Sequence, residues 1–205
     1  ADAVTRLSDK PGVAAVTAGP GLTNTITAVK NAQMAQSPVI LLGGATATIL
    51  KGKGALQDID QMALLRPHVK WAGSVNRVRD IDGVIDKAFE QAYKGTPGPV
   101  FIEFPVDLLY PESVIREWYG LTSGKRSNPL EKFYLNWHLN RLFGDEARSS
   151  DLSHQDIIAP QPRQDHAQTA ARMIEDANSP LMLVSSQAML SAEAVPALRD
   201  AILKL

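Results

Sequence analysis

The segment Val13-Ala14-Ala15-Val16-Thr17-Ala18-Gly19-Pro20-Gly21-Leu22-Thr23-Asn24 carries a short apolar run into a glycine-flanked turn and straight on into a helical pattern. Gly19 and Gly21 permit backbone angles that a Cβ forbids, Pro20 stiffens the turn, and Thr23 or Asn24 can cap the helix that follows. A turn this bare leaves helix amides uncovered, so an anion, a heterocycle or another backbone can come close. Glycines in such turns also serve tightness alone, and turn chemistry does not separate the two readings. A second candidate is Gln57, in Gly54-Ala55-Leu56-Gln57-Asp58-Ile59-Asp60-Gln61, which follows a glycine-bearing loop past the second apolar run. In a parallel sheet the carboxyl ends of the strands gather where ligands bind, so Gln57 at the head of a short helix would face that cleft. Its alternative is a helix start with a solvated amide.

Other chemistries lack their residues. The run Gly19 to Asn24 holds the first two glycines of a dinucleotide fingerprint, but Asn24 stands at the third, and Gly43-Gly44 occupies the place of the acidic residue after the second strand. Gly52-Lys53-Gly54 lacks the upstream glycine and the following Ser or Thr of a phosphate loop. No Gly-x-Ser-x-Gly elbow occurs, and cysteine is absent, which removes disulfides, zinc thiolates and thiol nucleophiles together. His68, His138, His154 and His166 show no metal-ligand spacing, so structural or surface roles are expected of them and no metal site is assigned.

The elements that must position these residues alternate. Strands are expected at Val13–Thr17, Pro38–Leu42, Val69–Val75 and Val100–Phe104, with helices over Leu22–Gln36, Gln57–Leu65 and a segment whose Ile81, Val84, Ile85, Ala88, Phe89 and Ala92 repeat at helical spacing. Apolar strands separated by helices give an α/β fold with a mostly parallel sheet covered on both faces. From Pro105 the texture changes. Residues 111–163 read as a linker with a Ser123–Asn128 polar stretch, prolines at 160 and 162, and an inserted helix over Leu130–Phe143, on which Leu130, Phe133, Tyr134 and Trp137 form an expected packing stripe. Residues 164–205, with a helix to Ala177, a strand at Pro180–Ser185 and a helix from Ala192, read as the start of a second α/β domain.

Composition agrees with a folded protein: 44% of the 205 residues are hydrophobic and 21% charged, so disorder is not expected. A net charge of -1 offers no basic face for nucleic acid. No apolar stretch approaches the roughly 20 residues of a membrane span. The chain starts at Ala1 shortly before its first strand and stops at Leu205 inside a helical pattern, so it is expected to be a piece of a longer protein.

Taken together, Thr17 to Asn24, Ala32 to Pro38, Leu41 to Gly44 and Gly54 to Gln57 resemble the N-terminal pyrimidine-binding domain of thiamine diphosphate enzymes. The Thr96-Pro97-Gly98-Pro99 to Asp107 segment is similar to the end of that domain in the acetolactate synthase group. Met34 to Pro38, Asp60-Gln61 and Val78 to Ile81 look like the acetolactate synthase-like branch that acts on 2-hydroxyacyl-CoA. The likeness is strong over residues 1–110 and weak from Ala167 onward.

The resemblance implies a site shared between two subunits of a homodimer or homotetramer, enclosing thiamine diphosphate, with Mg2+ and the diphosphate held by a C-terminal domain outside this chain. Ala18, Gly19, Pro20 and Gly21 would lie against the aminopyrimidine, Asn24 would support the turn or a dimer contact, and Gln57 would point toward the reactive carbon and the substrate carbonyl. The implied reaction cleaves 2-hydroxyacyl-CoA to an aldehyde and formyl-CoA. The alternatives are acetolactate synthase, with FAD, and a non-catalytic assembly module. The family's activating glutamate lies on a helix upstream of the strand Val13–Thr17, while the first Glu of this chain is Glu90, and Asp2 and Asp9 do not match its context. The chain by itself is therefore expected to be inactive. Membership of the animal branch would place the whole protein at the endoplasmic reticulum membrane, with the cytoplasm as alternative.

Overall fold

A computed structural model describes residues 1–8, 10–121, 128–144, 162–185, 188 and 194–204. Four strands, β1 (Gly12–Val16), β2 (Val39–Ala45), β3 (Trp71–Ser74) and β4 (Val100–Pro105), form one sheet in the order β1-β2-β4-β3. Every pairing is parallel, with Val16 opposite Gly43, Gly43 opposite Glu103 and Ser74 opposite Glu103. The strand that comes last in sequence is thus central, and all six of its residues are buried. That explains why its residues are apolar apart from Glu103, because a central parallel strand is covered on both faces.

Alternation along β4 divides the core. Val100, Ile102 and Phe104 pack with Ala88 and Ala92 of helix α5 (Ile81–Tyr93), as the helical spacing requires. Phe101 points the other way, onto Leu22, Val29 and Leu65. Those three come from α2 (Pro20–Thr23), α3 (Ile26–Met34) and α4 (Gln61–Leu65). A short helix α1 (Asp2–Leu7) leads into β1, and its buried Thr5 accepts the Gly12 N–H at 2.6 Å.

The helix expected over Leu22–Gln36 is broken in two. The Thr25 hydroxyl donates to the Leu22 carbonyl at 2.7 Å, which closes α2 before α3 begins. The helix expected from Gln57 starts only at Gln61, because Asp60 is its cap and accepts the Ala63 N–H at 2.9 Å. Gln57 itself has a φ of +66° and lies in the preceding turn.

Beyond Pro105 two further helices dock on the sheet: α6 (Glu112–Trp118), which the sequence pattern did not reveal, and α7 (Pro129–Phe143). Ile115, Leu139 and Leu142 join the core around Ile102. The expected packing stripe is corrected: Leu130 and Phe133 are 76% and 74% exposed, and Tyr134 and Trp137 are half exposed. Leu135, Leu139 and Leu142 make the buried face instead. Arg116 reinforces this orientation by donating to Asn136 and Asn140 at 2.8 and 3.0 Å.

Helices α8 (Gln164–Glu175) and α9 (Val195–Ile202) follow, and no strand forms over Pro180–Ser185. A parallel strand needs a neighbour to pair with, and none stands beside this exposed segment among the described residues. Asp9, most of the Ser123–Asn128 stretch, His154, Pro160 and the helix start at Ala192 lie outside the described residues.

Candidate functional site

The bare turn does end at a cavity. About 550 Å3 opens at the carboxyl edge of the sheet. Its floor is made of small residues at the ends of β1 and β2, Ala15, Ala18, Gly43, Gly44 and Ala45. Leu56 and Gln57 stand on one side, and Phe104, Val106 and Leu109 on another. The lining carries no ionisable side chain, and its polar side chains are those of Thr17, Thr46 and Gln57. Such a surface can accept the face of a planar ring and offer one amide. It cannot transfer protons.

Of the residues singled out from sequence, the structure brings Ala18 and Gln57 to the lining. Gly19, Pro20 and Gly21 shape the turn from behind. Gly19 is buried with a φ of +62°, and a Cβ there would come within 2.9 Å of the Gln57 Cβ, so the missing side chain lets Gln57 close over the turn. At Gly21 a Cβ would fall 2.3 Å from the Thr17 hydroxyl. Pro20 opens α2, and Asn24 is exposed at its far end, away from the cavity. Gln57 is held in place by its neighbours: Asp58 accepts the Gly52 N–H at 2.7 Å, and the Ile59 N–H reaches the Gln57 carbonyl at 3.1 Å.

Two residues around this site went unassigned in the sequence reading. Gln61 is 1% exposed, and its side chain touches Gly19, Gly44 and Glu103. Glu103 is equally buried and accepts from Lys51 at 2.7 Å and Ser74 at 3.1 Å. Glu103 is a charged residue inside an otherwise apolar run, which is the signal that could have marked it; Gln61 follows Asp60 in a polar stretch and carries no such signal. A third buried group, Asp107, accepts from the Thr48 N–H at 2.9 Å, the Thr48 hydroxyl and the Tyr119 hydroxyl at 3.1 Å. Thr48 in turn meets His138 Nε2 at 2.9 Å, which gives this histidine a structural place on α7. His166 lies exposed on α8. Among the described residues no cluster of three or more His, Cys, Asp or Glu can hold a metal.

A cavity with a small-residue floor and one presented amide can accept a planar heterocycle. The pattern of the thiamine pyrophosphate enzyme N-terminal TPP binding domain matches residues 1–64. Residues 1–64 belong to this thiamine pyrophosphate enzyme domain family. The chain is 48% identical over 204 residues to 2-hydroxyacyl-CoA lyase 2 of Danio rerio, covering 98% of this chain and 33% of that protein. It is 45% identical over 206 residues to 2-hydroxyacyl-CoA lyase 2 of Homo sapiens, covering 98% and 32%. Against the acetolactate synthase isozyme 3 large subunit of Escherichia coli it is 39% identical over 130 residues, 63% of this chain and 23% of that one. The chain thus spans about a third of the length of the lyase relatives. Among the described residues no helix is long and apolar enough to cross a membrane.

Proposed function

We propose that this chain supplies the pyrimidine-facing half of a thiamine diphosphate site in an enzyme that cleaves a 2-hydroxyacyl-CoA to an aldehyde and formyl-CoA. The observation that carries the reading is the cavity floor itself, where Ala18, Gly43 and Gly44 leave space that side chains would fill and Gln57 closes one side. When bound, thiamine diphosphate supplies a nucleophilic carbon and an electron sink for carbon–carbon cleavage. The chain's own residues do simpler work. Ala18 and the two glycines give the ring a flat seat, Leu56, Val106 and Leu109 keep that side apolar and exclude water, and the Gln57 amide orients the substrate carbonyl. Proton transfer is assigned to groups outside this cavity, since its lining has none that titrate.

Magnesium and the diphosphate are assigned to another domain of the complete protein, and the second half of the site to a second subunit of a homodimer or homotetramer. FAD belongs only to the second reading, acetolactate synthase, which the identity to the Escherichia coli large subunit favours. By analogy with the animal branch we place the complete protein at the endoplasmic reticulum membrane, which subcellular fractionation tests.

The deciding experiment assays the complete protein carrying this chain with thiamine diphosphate and Mg2+, against a 2-hydroxyacyl-CoA and against pyruvate. Formyl-CoA release is the expected result, and acetolactate as the sole product rejects the lyase reading. Loss of one positioned amide donor in Gln57→Ala should cost about a hundredfold in kcat/KM.

A further inference from the structure

The Gln61 amide occupies a position that only one of its two orientations can satisfy. Its Oε1 accepts the Gly19 N–H at 3.1 Å, and its Nε2 donates to the Gly44 carbonyl at 2.9 Å and to Glu103 Oε1 at 3.4 Å. A carbonyl and a carboxylate accept only, and a backbone N–H donates only. Reversing the amide would set its oxygen against two acceptors and its NH2 against a donor. The three partners therefore fix which end faces the turn.

Glu103 is the member that carries charge. Its second oxygen takes Lys51 Nζ at 2.7 Å and the Ser74 hydroxyl at 3.1 Å, so an otherwise buried carboxylate keeps a counter-ion. Gln61 is itself well anchored, because it is the first residue of α4 and sits behind the Asp60 cap. The chain of contacts runs from Lys51 through Glu103 and Gln61 to Gly19. Neither Gln61 nor Glu103 lines the cavity, but the turn they hold carries Ala18 on its floor and meets Gln57 at its side.

We propose that Gln61 and Glu103 are positioning residues for the cofactor-facing turn: Glu103, neutralised by Lys51, orients the Gln61 amide so that its carbonyl holds the Gly19 N–H. This rests on the pyrimidine half-site reading. A pinned Gly19 holds Ala18 and Gln57 in register before the cofactor arrives, so that binding does not have to order them. With the pin removed, the turn samples other conformations and the ordering falls on the binding step.

The test uses the complete protein and measures the thiamine diphosphate half-saturation constant, kcat at saturating cofactor, and the melting temperature without cofactor. Gln61→Leu and Glu103→Leu should each raise the half-saturation constant about tenfold. Saturating cofactor restores the turn, so kcat should stay within about threefold. Glu103→Gln, which keeps an oxygen for the Gln61 NH2, should recover most of the cofactor affinity that Glu103→Leu loses. Lower melting temperatures with an unchanged half-saturation constant would show a purely structural role and overturn the proposal, as would a Glu103→Gln variant no better than Glu103→Leu. If Gln61→Leu does not fold, the Glu103 pair carries the same comparison. A wild-type protein whose turnover needs no thiamine diphosphate would reject the half-site reading itself, which is a different result from any of these.

Discussion

Glu103 and Asp107 lie four positions apart at the same sheet edge, each 1% exposed, and they are satisfied by different chemistry. Glu103 has a counter-ion in Lys51, whose own side chain is half exposed, and it hands its remaining oxygen to Gln61. Asp107 has only neutral donors on Oδ2, from Thr48 and Tyr119, and its Oδ1 has no partner among the described residues. The partners reveal what each acid holds. Glu103 ties the loop after β2, β3 and α4 to the turn at Gly19, whereas Asp107 ties the loop after β2 to the residue after α6 and, through Thr48, to α7. One acid serves the cavity, and the other attaches the helices that follow residue 110.

The contrast is broken hardest by removing the counter-ion. Lys51→Met leaves Glu103 buried without a charge partner, and because Lys51 is half exposed the cost should be about 2 kcal/mol, below the 3–5 kcal/mol of a fully buried pair. Faster hydrogen exchange in β4 would register it, together with weaker cofactor binding. Next comes Thr48→Val, which deletes a hydroxyl donor from Asp107 and should cost about 1–2 kcal/mol. Its exchange effect should fall on α6 and α7 while the cofactor half-saturation constant stays put. Equal loss of cofactor affinity in both variants would erase the distinction between the two acids.

Much of the first 105 residues was legible because local pattern and tertiary role coincide there. The run Val100 to Phe104, apolar except for Glu103, fits a strand covered on both faces, and the Ile81 to Ala92 spacing fits a helix buried along one side. Gly19 was legible as a bare turn, but its partner was not, since Gln61 acts across 42 positions and nothing local records that. Gln57 misled for a related reason: a residue with φ of +66° reads by type as a helix start, and only the Asp60 cap moves the helix onward. On α7 the aromatic residues carry the stronger apolar signal, while Leu135, Leu139 and Leu142 make the burial. Pattern shows that a helix has an apolar face, and it cannot choose between two faces when both are apolar. The strand pattern at Pro180–Ser185 had the right composition and no neighbour among the described residues.

Smaller effects separate Asp107's two titratable neighbours. Burial, then the Asp107 charge and hydrogen bond, push the Tyr119 phenol well above its ordinary range. A raised folded value means that the unfolded phenol ionises first, so this stability is complete below about pH 10 and drains as pH rises further. Tyr119→Phe should cost about 1 kcal/mol at neutral pH and flatten the alkaline limb of stability. An alkaline limb as steep as the wild type's would mean that some other group governs it.

His138 should give the smallest effect, and with opposite sense. Burial lowers its pKa, the Asp107 charge partly opposes this, and Arg141 lowers it further. The Thr48 hydroxyl already donates to Asp107, so His138 Nε2 carries a proton and donates to Thr48. Because the folded value lies below the unfolded one, the unfolded chain takes up a proton first as pH falls. Stability is therefore complete above about pH 6.5 and declines as pH drops from there toward the folded value. His138→Gln keeps an N–H for Thr48 and removes the titration, so α7 amides should exchange at nearly the wild-type rate at pH 8 and more slowly than wild type on the acid side. The wild-type acid response persisting in His138→Gln would place the sensitivity elsewhere and leave Asp107 with a clamp that does not titrate through α7.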